Sequence, residues 1–151
     1  FVMIIATASA FFTMGREIYS GFDKNAYVLY DGSQVAASEY ILENTEPDSL
    51  FLSNYDHNNA ISSLTGRNIF VGAGTFLYSH DVDYGERQQI VRKCFTNQEA
   101  FEQYKAQYGF DYVYVSQSER NTFSGIIIEY FKANYPCVYD SNNVMIFDVR
   151  N

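Results

Sequence analysis

Apolar and polar positions along the 151-residue chain change period from block to block. Ala36, Ala37, Tyr40 and Ile41 recur at helical spacing, which predicts a helix over residues 34–43 with Ser33 as its cap. Thr45-Glu46-Pro47-Asp48 ends it, because Pro47 disfavours helical backbone in the residue before it. Residues 49–53 and 68–71 are short apolar runs of strand type. Between them Asn58 or Asn59 caps a helix of one to two turns through Leu64, stopped by Gly66, and Gly72 and Gly74 close the second strand.

Asp83 with Glu86, and Thr96 with Glu99, read as capping boxes. The first opens a helix to about residue 95 with Ile90, Val91 and Cys94 inward. The second opens one with Phe101, Tyr104 and Tyr108 inward, stopped at Gly109. Residues 110–116 are nearly continuous Tyr and Val, which suits a central strand buried on both faces. Phe123, Ile126, Ile127, Tyr130 and Phe131 follow i, i+3, i+4, i+7, i+8 and predict an amphipathic helix ended by Asn134 and Pro136. Residues 137–139 and 144–149 read as strands joined by the hairpin signal Asp140-Ser141-Asn142-Asn143. Residues 21–33 form a connector with a short edge strand at 26–30. The expected fold is α/β, a three-layer, mostly parallel Rossmann-like sheet with an antiparallel C-terminal hairpin at the edge.

Residues 1–14 are almost wholly apolar, with no charge before Arg16. As a helix they span about 21 Å, short of the roughly 30 Å hydrocarbon core. Residues 1–20 are therefore expected to be the end of a transmembrane helix or a membrane-proximal helix, with Tyr19 and Phe22 as interfacial anchors. A signal-peptide core, which lacks a basic stretch before it, and a buried helix are the competing readings. Residues 21–151 form the expected α/β domain.

Composition narrows the partners. At 47% hydrophobic the chain folds, and 10 Lys and Arg against 18 Asp and Glu give a net charge of −8. That argues against nucleic acid or an anionic lipid surface as main partner. Fourteen Tyr and 13 Phe suit a packed core as well as an interface or a sugar-contacting surface. Cys94 and Cys137 form no CxxC motif, and a buried thiol pair or a disulfide are both open.

The loops after the two first strands carry both His residues. If those strands are parallel neighbours, the loops share one edge of the sheet, where open α/β sheets hold ligands. His57, Asn58, Arg67, His80, Tyr84 and Arg87 are expected to converge there in a polar, Tyr-lined cleft, although Arg67 enters its strand from the other end. Asn59, Tyr78, Glu119 and Arg120 complete the candidate ligand-binding set, with Glu119 either a cap or a partner for Arg67. Gly72-Ala73-Gly74 lacks the third glycine of a dinucleotide loop, since residue 77 is Leu. Asp56, His57, His80, Asp81 and Asp83 have metal-ligand chemistry but no fixed ligand spacing. No GxSxG elbow is present. No catalytic residue, metal or cofactor is assigned.

Some strings are more specific. Residues 36–44, Pro47-Asp48-Ser49-Leu50-Phe51-Leu52-Ser53, His57-Asn58-Asn59, Leu64-Thr65-Gly66-Arg67, Val71-Gly72, Tyr78-Ser79-His80 and Tyr84 with Arg87 resemble the soluble tail of bacterial polytopic membrane proteins of the C-type glycosyltransferase superfamily, which uses lipid-linked sugar donors. Tyr112-Val113-Tyr114-Val115, Glu119-Arg120 and the closing hairpin extend the likeness over residues 35–149. Ala73-Gly74-Thr75 departs from the glycine-aromatic-proline-glycine turn of that pattern. The resemblance implies an extracytoplasmic domain at the cell membrane. It implies partnership with the membrane-embedded part of the same polypeptide, and with a lipid-linked sugar or glycan. The catalytic acids of the superfamily lie in the membrane-embedded part, so the domain itself is expected to be an accessory that shapes the substrate cleft. The alternative is a membrane-tethered ligand-binding or sensor module.

Overall fold

The computed structural model describes residues 2–22 and 28–150. Helix α1 (Val2–Gly21) comes first, then α2 (Gly32–Asn44), β1 (Leu50–Leu52), one wide π-type turn (Ile61–Thr65), β2 (Asn68–Ile69) and α3 (Gly74–Ser79). Helices α4 (Gly85–Thr96) and α5 (Gln98–Tyr108) lead to β3 (Tyr112–Val115). Two short helices, α6 (Gln117–Thr122) and α7 (Ile128–Asn134), precede the hairpin β4 (Cys137–Ser141) and β5 (Val144–Asp148).

The five strands form one mixed sheet in the order β2-β1-β3-β5-β4. β1 pairs in parallel with β2 and β3, as the alternation of strand and helix implied, and the antiparallel hairpin forms the far edge. Strand side chains alternate between two apolar clusters. Leu52, Val113, Val115 and Phe147 pack with Val91, Phe95, Phe101 and Phe131 of α4, α5 and α7. Phe51, Tyr112, Tyr114 and Ile146 pack with Ala37 and Ile41 of α2 and with Ile61. β3 is buried at all four positions because it lies between those clusters. At the hairpin tip Asn142 and Asn143 both take positive φ, 48° and 67°, the geometry a tight two-residue turn demands.

Several helix starts differ from expectation. α2 begins two residues earlier than Ser33 would place it. Asp31 accepts from the Gln34 amide at 2.8 Å while the Gln34 side chain accepts from the Asp31 amide at 3.1 Å, a reciprocal box. The two proposed boxes downstream do not form. Asp83 accepts only from the Gly85 amide at 3.1 Å, and α5 is capped by Asn97, which accepts from Ala100 at 2.8 Å. Thr96 turns back to donate to the Arg92 carbonyl.

The amphipathic run from 123 to 131 is not one helix. Gly125 takes φ +78° and breaks it, and the Ile127 amide donates to the Phe95 carbonyl. Phe123 is buried against Phe95, stacked at 4.7 Å. Helical spacing of apolar residues records the need for burial, which an irregular segment also meets.

Gly66 and Gly109 stop their segments in left-handed backbone, as expected. Cys94 is buried and Cys137 exposed, so they are not paired. The edge strand expected at 26–30 falls partly outside the described residues, and residues 28–30 form no strand.

Residues 9–22 are exposed throughout. Phe11, Met14 and Ile18 share one face of α1, while Ser9, Thr13, Arg16 and Ser20 lie on the other. No described helix is long and apolar enough to cross a membrane.

Candidate functional site: a polar cleft at the switch point of the sheet

After β1 the chain passes to the Ile61–Thr65 turn, on the α2 side of the sheet. After β3 it passes to α7, on the α4–α5 side. The loops that leave β1 and β3 therefore diverge, and a crevice opens between them at the carboxyl ends of the strands. A cleft of about 640 Å³ occupies this position. Asp56, His57 and Asn58 line it from the β1 loop, and Ser116, Gln117, Ser118 and Asn121 from the β3 loop and α6. The start of α2 contributes Asp31, Ser33 and Gln34, and the hairpin tip contributes Asn142 and Asn143.

A buried hydrogen-bond network sets the shape of both loops. Glu119, 1% exposed, accepts from the Asn54 amide at 3.1 Å and from the amide and hydroxyl of Ser116 at 2.7 and 2.5 Å. It thereby caps α6 and ties the β1 loop to it. Burial raises the Glu119 carboxyl above its ordinary value, although hydrogen bonds from Ser116 and from backbone amides oppose this. Asn54 donates to Ser118 at 2.7 Å and to Asp56 at 3.0 Å, and Ser118 donates to the same Asp56 oxygen at 2.7 Å. The Ser118 hydroxyl thus donates to a carboxylate, and no imidazole among the described residues accepts from it. Buried Asn59 donates to Ser53 and to the Asn54 carbonyl, both at 2.9 Å, and accepts from the Ile61 and Ser62 amides.

The ten residues singled out in the sequence do not converge. His57 and Asn58 line the cleft. Asn59 and Glu119 lie beneath it as structural anchors, and Glu119 makes no contact with Arg67. Arg120 donates to the Asn143 carbonyl and so steadies the hairpin tip at the rim. Arg67 lies at the opposite end of the strands. It donates to Thr45 (carbonyl at 2.9 Å, hydroxyl at 3.1 Å) and to the Leu42 carbonyl, capping the C-terminus of α2.

Tyr84 and Arg87 belong to a separate depression beside β2. Arg87 lies over the Phe70 ring at 5.1 Å and donates to its carbonyl at 3.1 Å. Tyr78 and His80 are exposed, on α3 and at its end. His57 stacks on Phe76 of α3 at 4.7 Å, and no hydrogen bond or ring contact joins it to His80. The convergence failed because β2 is only two residues long and the chain turns at once into α3, which carries the 74–84 segment away from the β1 loop.

Sequence reasoning missed Asp31, Ser33, Gln117, Ser118, Asn121 and the two hairpin asparagines as cleft residues. The Asp31/Gln34 and Ser116/Glu119 spacings carry the signature of helix starts, which the sequence reading passed over for Ser33 and left unassigned at 116, and nothing local shows that three distant segments share a cleft. Among the described residues no three of His, Cys, Asp and Glu are grouped to hold a metal ion. Burial pushes the Cys94 thiol up to about 12, which makes it inert as a nucleophile at neutral pH. No family model matches this chain, and the comparisons with curated proteins and with solved structures found no match.

Proposed function

We propose that this chain is the extracytoplasmic accessory domain of a multi-pass membrane protein resembling C-type glycosyltransferases, and that its cleft contacts a glycan or lipid-linked sugar without itself catalysing transfer. In this reading the domain is a three-layer, Rossmann-like unit, and α1 lies at the membrane. The observation that carries the reading is the chemistry of the cleft. It is lined by side-chain amides, hydroxyls and two carboxylates, the groups that pair with sugar hydroxyls, at the place where α/β sheets hold ligands. His57 adds an aromatic face backed by Phe76. Cys94 is held protonated by burial and Ser118 has no imidazole partner, which favours binding over chemistry. The exposed apolar face of α1 supplies a surface for the membrane or the membrane-embedded part.

Two measurements test the reading. Cys137 is exposed and Cys94 buried, so a membrane-impermeant maleimide applied to intact cells labels Cys137 if the domain faces outward. Protection of Cys137 in intact cells, with labelling after lysis, overturns the extracytoplasmic placement. Asn121→Ala, at the cleft surface, lowers glycan transfer by the full-length protein while leaving membrane insertion unchanged. Unaltered transfer overturns the role of the cleft.

A further inference from the structure

We infer that the glycan held in this cleft carries an acetamido group and that the side-chain amides of Asn142 and Asn143 at the hairpin tip select it. The inference rests on the reading that the cleft binds a glycan, and it names the substituent by which that glycan is recognised.

The hairpin tip carries more than its turn requires. Ser141 pairs with Val144, so Asn142 and Asn143 are the two central residues of the turn, with φ of 48° and 67°. Glycine takes such backbone freely and is the usual second residue of a turn of this kind. Asn143 keeps a side chain in that place. Among the described residues neither asparagine side chain gives or takes a hydrogen bond. The tip is steadied instead by Arg120, which donates to the Asn143 backbone carbonyl. Both asparagines line the cleft. Two whole carboxamides, each a donor and an acceptor, are thus set at the cleft and used by nothing around them.

The rest of the lining repeats this chemistry. Gln117 donates to Asn121 Oδ1 at 2.9 Å, which leaves Gln117 Oε1 as an acceptor and Asn121 Nδ2 as a donor. Gln34 spends its oxygen on the Asp31 amide and keeps its NH2 group. The carbonyl and the N–H of an acetamido group point in opposite directions, so a donor and an acceptor from two different groups satisfy them. Two neighbouring carboxamides supply that pair. A sugar with a plain hydroxyl in the same place leaves part of it unmatched. All of these groups are neutral, so the pairing does not depend on the ionic balance of the lining.

A separate wall suits the sugar ring itself. His57 lines the cleft and stacks on Phe76 at 4.7 Å, with 27° between the ring planes, and no other ring of the described residues stacks on it. An imidazole backed on one face offers the other to the C–H face of a pyranose, through dispersion and weak C–H contacts. A peptide amide has no such face.

The test titrates the isotope-labelled 151-residue chain, in a non-ionic detergent, with three neutral probes followed by NMR. The probes are methyl N-acetyl-β-glucosaminide, methyl β-glucoside and N-acetylglycine methylamide. The N-acetyl glycoside is expected to shift the side-chain amide signals of Asn142 and Asn143. It binds about tenfold tighter than the plain glucoside, the worth of one or two neutral hydrogen bonds. The methylamide binds more weakly than the N-acetyl glycoside.

In the double variant Asn142→Gly, Asn143→Gly the two glycosides bind alike. Glycine suits both turn positions and the Arg120 bond is to backbone, so the circular dichroism is unchanged. If that variant unfolds, the single variant Asn143→Gly takes its place. His57→Ala weakens both glycosides equally, and His57→Phe restores them. Equal affinity of the unaltered chain for the two glycosides overturns the acetamido assignment and leaves the glycan reading standing. A full preference that survives in the folded glycine variant overturns selection by the hairpin. A methylamide that binds as tightly as the N-acetyl glycoside assigns the cleft to a peptide and overturns both readings. Failure of both glycosides to bind also overturns both.

Discussion

The loops that follow β1 and β2 begin alike. Each leaves a short parallel strand, each carries one histidine among Asp and Tyr, and the two strands are hydrogen-bonded neighbours. They end in different physical states. The β1 loop is fastened by Asn54, Asn59 and Glu119, all under 5% exposed, in a network that joins two distant segments of the chain. The β2 loop has no buried polar side chain. It winds into the two-turn helix α3, with Phe76, Tyr78 and His80 exposed, and is held by Tyr84 packed against Gly74. Buried polar groups cost several kcal/mol if left unpaired, so a loop that contains them has one conformation in which all are satisfied. A loop without them is positioned by apolar contact alone. The cleft forms beside the first kind.

The largest way to break this contrast is Asn59→Ala. It removes three donor bonds and both acceptor bonds of a buried amide and leaves the Ile61 and Ser62 amides without their side-chain acceptor. The expected cost is about 3 kcal/mol, measured by urea unfolding. A loss under one third of that figure would mean that the network is not what holds the loop.

Next comes Gly74→Ala in the other loop. A Cβ there would lie 2.5 Å from one Tyr84 ring carbon and 2.8 Å from another, so the ring must move. About 2 kcal/mol is expected from the overpacking, and Gly74→Ala with Tyr84→Ala together should recover part of it. Additive losses would show that Tyr84 is not the obstacle.

Glu119→Gln sharpens the comparison through pH. The folded carboxyl is raised above its unfolded value, so its contribution to stability is full below about pH 4 and falls as pH rises through the folded value. The wild-type urea midpoint should therefore decline over that interval more steeply than that of Glu119→Gln. Parallel pH profiles would refute the shift.

The smallest effect belongs to His80→Ala. His80 is exposed and its side chain makes no hydrogen bond, so stability changes by less than about 0.5 kcal/mol.

Local signals carried a large part of the fold. The parallel core strands, the buried Tyr-Val strand, the Asn-Asn hairpin and the glycine stops at 66 and 109 were each legible because each rests on nearest-neighbour chemistry. Helix starts were legible in type but not in position. Asp31 and Asn97 took the caps from Ser33 and Thr96, since several capping residues in a row compete and the packed face chooses among them. The site was the least legible part. Of the ten residues proposed for it, His57 and Asn58 face the cleft; Arg67, Arg87 and Glu119 proved to be hydrogen-bonding anchors.

By itself the sequence determined an acidic α/β domain: its short core strands near residues 50–52, 68–69 and 112–115, and that the C-terminal pair forms a hairpin. Those properties follow from hydrophobic period, turn residues and charge, all local or additive along the chain. Only the tertiary structure decided that the β1 and β3 loops diverge, that Asp31, Asp56, Ser118 and the hairpin asparagines meet, and that β2 ends too soon for His80 to join them. These depend on which face each connection crosses and on where buried polar groups find partners. Both are set by contacts between residues up to 65 positions apart, and no local pattern in the chain records such a contact.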